Sequence, residues 1–180
     1  MFVYKIDEDL SLKLVELRDS TRIFSLTDRS RNYLREWLSW VDTTNKEEDT
    51  IAFIKICLQG FAENKSLNAA ILFKGEIVGV AGFNHLDWSN RIAYIGYWLA
   101  EDYQGNGIMT KVAKALTDYA FRELKLNKVE IRAAAENDKS RSIPERLGFT
   151  YEGHIRQAEW LYDHYVDHVI YGVLREEWGK

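Results

Sequence analysis

The residues of this chain best suited to chemistry lie in one heptapeptide, Gln104-Gly105-Asn106-Gly107-Ile108-Met109-Thr110. Glycine at 105 and 107 lets backbone approach a ligand without a Cβ in the way. An amphipathic run follows, with Ile108, Val112, Leu116, Tyr119 and Ala120 at helical spacing as far as Leu124. A helix start carries N–H groups without intrahelical partners at the positive end of the helix dipole. Ahead of the loop, Tyr94-Ile95-Gly96-Tyr97-Trp98-Leu99 reads as a buried strand and Ala100-Glu101-Asp102-Tyr103 as a polar turn. Strand, glycine-rich turn and helix in that order are the layout of a diphosphate site, the alternative for two glycines near a helix start being ordinary turn chemistry.

Other candidates are weaker. His164 and His168 have the spacing of a helical metal pair, but Tyr165 to Tyr171 reads as strand. There, four residues span about 13 Å, too far to share one ion, and no metal is expected. Cys57 falls among Ile51, Ile54, Leu58 and Phe61 on a helical pattern, as a core residue does, and a single cysteine excludes an internal disulfide.

The positioning elements follow from periodicity. Leu10 to Leu14 alternates as a first strand, and Val15 to Ser30 is helical. A short helix carries Tyr33, Leu34, Trp37, Leu38 and Trp40; a third runs from about Lys46 to Glu63, capped near Thr43 or Thr44. Ala69–Phe73 and Ile77–Phe83 flank Lys74-Gly75-Glu76 as a hairpin, so three antiparallel strands precede the glycine loop. Lys128 to Ala133 is a strand after the loop's helix, and the crossover makes it parallel to the strand holding Tyr97. Asn137 or Asp138 caps a short helix that Gly148 closes, and Val166 to Leu174 is the last strand.

The totals suit an ordinary globular chain: 180 residues, 46% hydrophobic, 29% charged, one proline and no linker-like run, hence one domain over 1–180. A formal charge of −4 argues against nucleic acid as the main partner. Basic residues gather at Arg18, Arg22, Arg29, Arg31 and Arg35, as a solvated face or as an attractor for cofactor phosphates or an acidic partner. The polar N-terminus and the lack of a long apolar span imply no signal peptide, no membrane and a cytoplasmic location. The aromatic load, 13%, permits a homodimer interface.

The stretch through the loop resembles the acyl-CoA-binding motif of the GCN5-related N-acetyltransferases, Gln/Arg-x-x-Gly-x-Gly/Ala. Gln104 and Gly107 fit, whereas the sixth position holds Met109 instead of a small residue. Asn137-x-x-Ser140 followed by Leu147-Gly148-Phe149 matches a second signature of that family. Gly153-x-x-Arg156-x-Ala158-Glu159, with Asp167 and Tyr171, is similar to its bacterial ribosomal-protein branch, which acts on serine or alanine α-amines.

The resemblance implies an α+β, three-layer fold with a mixed central sheet of about seven strands, flanking helices and an acyl-CoA wedge between the central strands. It implies acetyl-CoA as co-substrate, with pantetheine along the backbone of Trp98 and Leu99, the diphosphate on Gly105 to Thr110, and Asn137 nearby. It makes Glu159 the general base and Ser140 a hydrogen-bond donor to the departing sulfur, with a backbone N–H near Leu99 for the oxyanion. Trp37 and Trp40 either wall the acceptor site or pack in the core.

Magnitudes bear on the acceptor. An α-amine has a pKa of about 7.7–8.0 and a lysine amine about 10.4, so the latter costs about 3.5 kcal/mol more to deprotonate. One carboxylate therefore fits a protein N-terminus more easily. The alternatives are a small-molecule amine such as a polyamine or aminoglycoside, with Glu47, Glu48 and Asp49 as an acidic wall, or a non-catalytic acyl-CoA sensor. The joint presence of Ser140 and Glu159 argues against the sensor.

Overall fold

The computed structural model describes residues 2–179. Among them, eight strands form one sheet: β1 (Tyr4–Lys5), β2 (Leu10–Leu14), β3 (Leu67–Phe73), β4 (Glu76–Asp87), β5 (Ile92–Leu99), β6 (Lys128–Ala134), β7 (Thr150–Leu161) and β8 (His164–Leu174). Their order is β1-β2-β3-β4-β5-β6-β8-β7, antiparallel throughout except for the β5–β6 pair. The helices are α1 (Ser20–Arg29), α2 (Arg31–Arg35), α3 (Glu47–Ala62), α4 (Ile108–Arg122) and α5 (Asp138–Arg146).

Alternation along each strand divides the core into two layers. Ile95 and Leu99 pack with Val112 and Leu116 of α4 and Ile143 of α5. Ala70 and Val80 face the other way, against Ile23 of α1 and Ile54 and Cys57 of α3, with Trp98 at the margin. Helices thus cover both faces of a mixed sheet, the three-layer arrangement expected.

The one parallel pair shapes the site. Its register runs only from Ile92↔Lys128 to Ile95↔Ile131. Beyond that point β5 continues to Leu99 and β6 to Ala134 without pairing, because β6 is drawn away by β8 as far as Ala134↔His168. Two parallel strands that part in mid-length leave a wedge with unpaired backbone on one edge.

Several sequence expectations are corrected. The sheet has eight strands instead of about seven. Tyr4–Lys5 adds a short edge, and Thr150–Leu161, not read as a strand, is a long outer one. The first helix begins at Ser20 after a 3-10 turn at Leu17–Asp19. The helix expected to carry Tyr33 to Trp40 stops at Arg35, leaving both tryptophans in the loop that follows. Neither Thr43 nor Thr44 caps α3: the Asp49 carboxylate accepts the N–H groups of Asn45 (2.9 Å) and Lys46 (3.1 Å).

Candidate active site

The glycine loop is built for backbone approach. Gly105 and Gly107 both adopt left-handed backbone, φ +79° and +69°, and a Cβ on either would meet nothing of the protein within 4 Å. Gly107 precedes Ile108, the first residue of α4, so the N–H groups of Ile108, Met109 and Thr110 lack intrahelical partners. The Ile108 side chain is buried in the core, so only its backbone is available to a ligand. The Asn106 amide holds the loop itself, donating to the carbonyls of Tyr103 (3.1 Å) and Gln104 (3.3 Å). The Met109 side chain lies in the helix–sheet core and also borders the wedge.

The free edge of β5 is held in place by Gln104. Ala100 N–H donates to the Val78 carbonyl at 2.9 Å, and the register pairs Trp98 with Val80. Alternation then turns the backbone groups of Trp98 into β4 and those of Tyr97 and Leu99 toward the wedge. Gln104 Nε2 donates to the Leu99 carbonyl at 3.1 Å. The backbone edge assigned from sequence to Trp98 and Leu99 is therefore that of Tyr97 and Leu99. A cleft of about 310 Å³ runs along it, bordered by Leu99, Gln104, Met109, Asn137, Ser140 and Ile143.

Asn137 caps α5, its Oδ1 accepting the Ser140 N–H at 3.1 Å. The cap fixes Ser140 in the first turn of that helix, where its Oγ lies 3.5 Å from the Tyr97 hydroxyl; that hydroxyl donates to the Ser140 carbonyl at 3.2 Å. Burial pushes the Tyr97 phenol up to about 12, so it stays protonated.

Ser140, Asn137 and Tyr97 also border a second cavity, of about 520 Å³, which contains Glu159 and His168. Glu159 comes from β7, and a bulge directs it there. The β7–β8 register passes from Ile155↔His168 to Glu159↔Val166, so three residues of β7 face one of β8. Gln157 takes up the bend with left-handed backbone, φ +50°, and its N–H donates to Asp167 Oδ1 at 2.7 Å. Glu159 Oε2 and His168 Nε2 then lie 3.0 Å apart. Glu130, buried in the same wall, is engaged by Arg132 at 2.6 Å. The loop after α2 and the β7–β8 hairpin are tied together: the Tyr162 hydroxyl donates to the Leu38 carbonyl, and the Arg35 guanidinium sits 3.9 Å over the Tyr162 ring.

A family model described as an acetyltransferase (GNAT) domain matches residues 9–150. The chain belongs to the GNAT acetyltransferases. Among its relatives, YdaF of Bacillus subtilis is 35% identical over 99% of this chain and 98% of its own. The ribosomal-protein-serine acetyltransferase of Escherichia coli is 30% identical over 93% of each. A solved structure titled RimL, a ribosomal L7/L12 α-N-protein acetyltransferase in complex with coenzyme A, superposes with a TM-score of 0.93 at 26% identity, covering 96% of this chain and 98% of that one. The GNAT chain described here is accordingly an N-acetyltransferase that uses acetyl-CoA. The open loop, the free β5 edge and the wedge fit that co-substrate.

Within this GNAT fold the remaining sequence candidates find their places. Trp37 and Trp40 are half-buried and border the cavities, the ring centroids of Trp40 and Trp98 lying 5.8 Å apart. The basic cluster is a set of ties. Arg22 holds the Ile77 carbonyl, Arg31 those of Val41 and Thr44, and Arg18, Arg29 and Arg35 pair with Glu16, Asp102 and Asp42. The proposed acidic wall is partly committed too, since Glu47 accepts from Ser20 and Thr21 and Asp49 holds the start of α3. His164, on the strand foreseen, pairs with Asp163. From the sequence, Tyr97 is only a strand residue and His168 only half of a rejected metal pair, neither with a role at the site. Their signal is in the pattern: Tyr97 is a hydroxyl within an apolar strand, and His168 a polar ring between the same-face apolar residues Val166 and Ile170.

Proposed function

We propose that this GNAT enzyme acetylates the α-amine of a protein N-terminus, a ribosomal protein being the first candidate. The observation that carries this reading is the charge of the reacting cavity. Of the two carboxylates bordering it, Glu130 is neutralised by Arg132 (2.6 Å) and Lys128 (3.7 Å), which leaves Glu159 for the acceptor. One carboxylate suits one ammonium. A polyamine carries further charges, and two of the three acids offered for them are engaged elsewhere. Two relatives whose names specify ribosomal proteins support the same choice.

Acetyl-CoA supplies the acetyl group as a thioester. Glu159, directly or through a water, takes the proton of the α-ammonium, and His168 orients its carboxylate. The Leu99 N–H, on the free strand edge, donates to the carbonyl oxygen as it gains charge. Ser140 donates a hydrogen bond to the departing sulfur, held in place by the Asn137 cap and the Tyr97 hydroxyl. The amine attacks directly, so no side chain of this protein becomes acylated. The backbone from Gly105 to Thr110 takes the diphosphate.

The test is transfer of labelled acetyl from acetyl-CoA into a bacterial extract, followed by separation and peptide mass analysis. The expected result is label on the first residue of a small ribosomal protein. Label confined to small-molecule amines would replace this reading with the metabolite one. Coenzyme binding without transfer to any amine would favour a sensor.

A further inference from the structure

A third cavity opens beside the reacting centre on the other side of β5. It measures about 560 Å³ and lies between α3 and the β4–β5 pair. Ile23 of α1, Trp40, Val80 and Trp98 form its inner wall, and Phe53 and Ile56 of α3 its outer one. Phe53 and Ile56 lie one turn apart on the same helix face and are 39% and 71% exposed. An exposed helix face of this kind ordinarily carries charge. The bordering carboxylate of Asp49 is engaged by the backbone of Asn45 and Lys46.

This cavity joins that of Glu159: Leu38, Trp40, Asn84, Gly96 and Tyr97 border both. The junction has a specific construction. The β4–β5 register passes from Phe83↔Ile95 to His85↔Tyr94, so Asn84 is an extra residue on a bulge. A Cβ on Gly96 would lie 2.1 Å from Asn84 Nδ2. The missing side chain at position 96 is therefore what lets the Asn84 amide lie across β5, exposed where the two cavities meet. A carboxamide presents both donors and an acceptor, the complement of a peptide unit.

We propose that this cavity is a subsite for an apolar side chain of the acceptor, and that Asn84 hydrogen-bonds the acceptor peptide at its entrance. The inference rests on the N-terminal reading above and sharpens it. The occupant has a free ammonium at Glu159, a peptide unit at Asn84 and, in the residue after the acetylated one, a leucine-like or phenylalanine-like side chain between α3 and the sheet. The size lies within the range of small-ligand sites. A second cation there would meet mainly aliphatic and aromatic surface, with threonine and asparagine side chains but no free carboxylate.

Short peptides with a free N-terminal serine and glycine, leucine or phenylalanine at the second position test this, with kcat/KM measured for each. The leucine and phenylalanine peptides are expected to exceed the glycine peptide by about tenfold or more, the effect of burying one such side chain. Ala52→Trp, at the exposed lip of the cavity, is expected to bring that ratio close to one, with acetyl-CoA binding unaffected. Ile56→Asp serves as the second variant and should move the ratio the same way. Asn84→Ala is expected to lower kcat/KM for all three peptides alike. Equal rates for glycine and leucine peptides, or a preference that survives both lip variants, would overturn the subsite while leaving N-terminal acetylation intact. If no peptide α-amine is acetylated but a polyamine is, the functional reading itself fails and the subsite with it.

Discussion

Replacing Gly107 by alanine separates the cost to the fold from the cost to the ligand. The residue has φ +69°, a backbone that L side chains adopt at a penalty, and an added Cβ would touch no protein atom within 4 Å. The fold should therefore lose only the conformational term, about 1–2 kcal/mol. For a chain of 180 residues that corresponds to a fall in Tm of about 2–8 °C. If the loop cradles phosphate, the same Cβ stands where the ligand must approach. Losing one hydrogen bond to a charged group is worth about 1.5–3 kcal/mol, so the Kd for coenzyme A should rise by about 10- to 150-fold. Gly148→Ala is the matched control: φ is +77°, its Cβ also meets nothing, and it lies at the far end of α5 from Ser140. Calorimetry should give both variants similar Tm shifts and only Gly107→Ala weakened binding. Coenzyme affinity within twofold between the two variants would refute the assignment of the loop.

Three further outcomes follow from the packing. Lys13 and Asp19 form a buried pair at 2.6 Å, each about 5–6% exposed, and the half-exposed Glu16 (3.0 Å) is the ammonium's second partner; Asp19→Ala leaves Glu16 alone to compensate it and should cost about 1–3 kcal/mol in chemical denaturation, part of which a doubly apolar Lys13→Met, Asp19→Leu variant should recover. Burial pushes the Cys57 thiol up to about 11, so a thiol reagent at pH 8 should label it slowly in the folded protein and quickly in denaturant. The Gln157 N–H, followed by the His154 ring, holds the Asp167 carboxyl below its ordinary 3.8, so its contribution to the β7 bulge is present above that pH and lost as pH falls through the lower folded value; protection of the Gln157 amide against hydrogen exchange should fade in that acidic range and be weak at neutral pH in Asp167→Asn.

The loop and its flanking elements were legible because glycines and a change of hydrophobic period mark them sharply. The same holds for Asn137 and Ser140, whose cap is a local contact over three residues. What stayed hidden was non-local. β7 is an outer strand exposed along almost its whole length, so no alternation of apolar residues betrays it. The approach of Glu159 to His168 depends on a bulge that shifts one strand against its neighbour, and a register shift leaves no composition signal. Which edge of β5 stays unpaired depends on where β6 parts from it, so Trp98 and Tyr97 could not be told apart as backbone donors. The bulge at Asn84 was hinted at only by two polar residues, Asn84 and His85, interrupting an apolar strand.

Glu159 is proposed to accept the proton of the acceptor amine. The most direct measurement is steady-state turnover of Glu159→Gln on a serine-initiated peptide, with coenzyme A affinity determined on the same preparation. A glutamine keeps the size and the hydrogen bond to His168 but cannot take the proton. Turnover should fall by about 10²-fold or more with coenzyme binding unchanged. Turnover within a few-fold of the parent enzyme would contradict it and place the proton acceptor elsewhere.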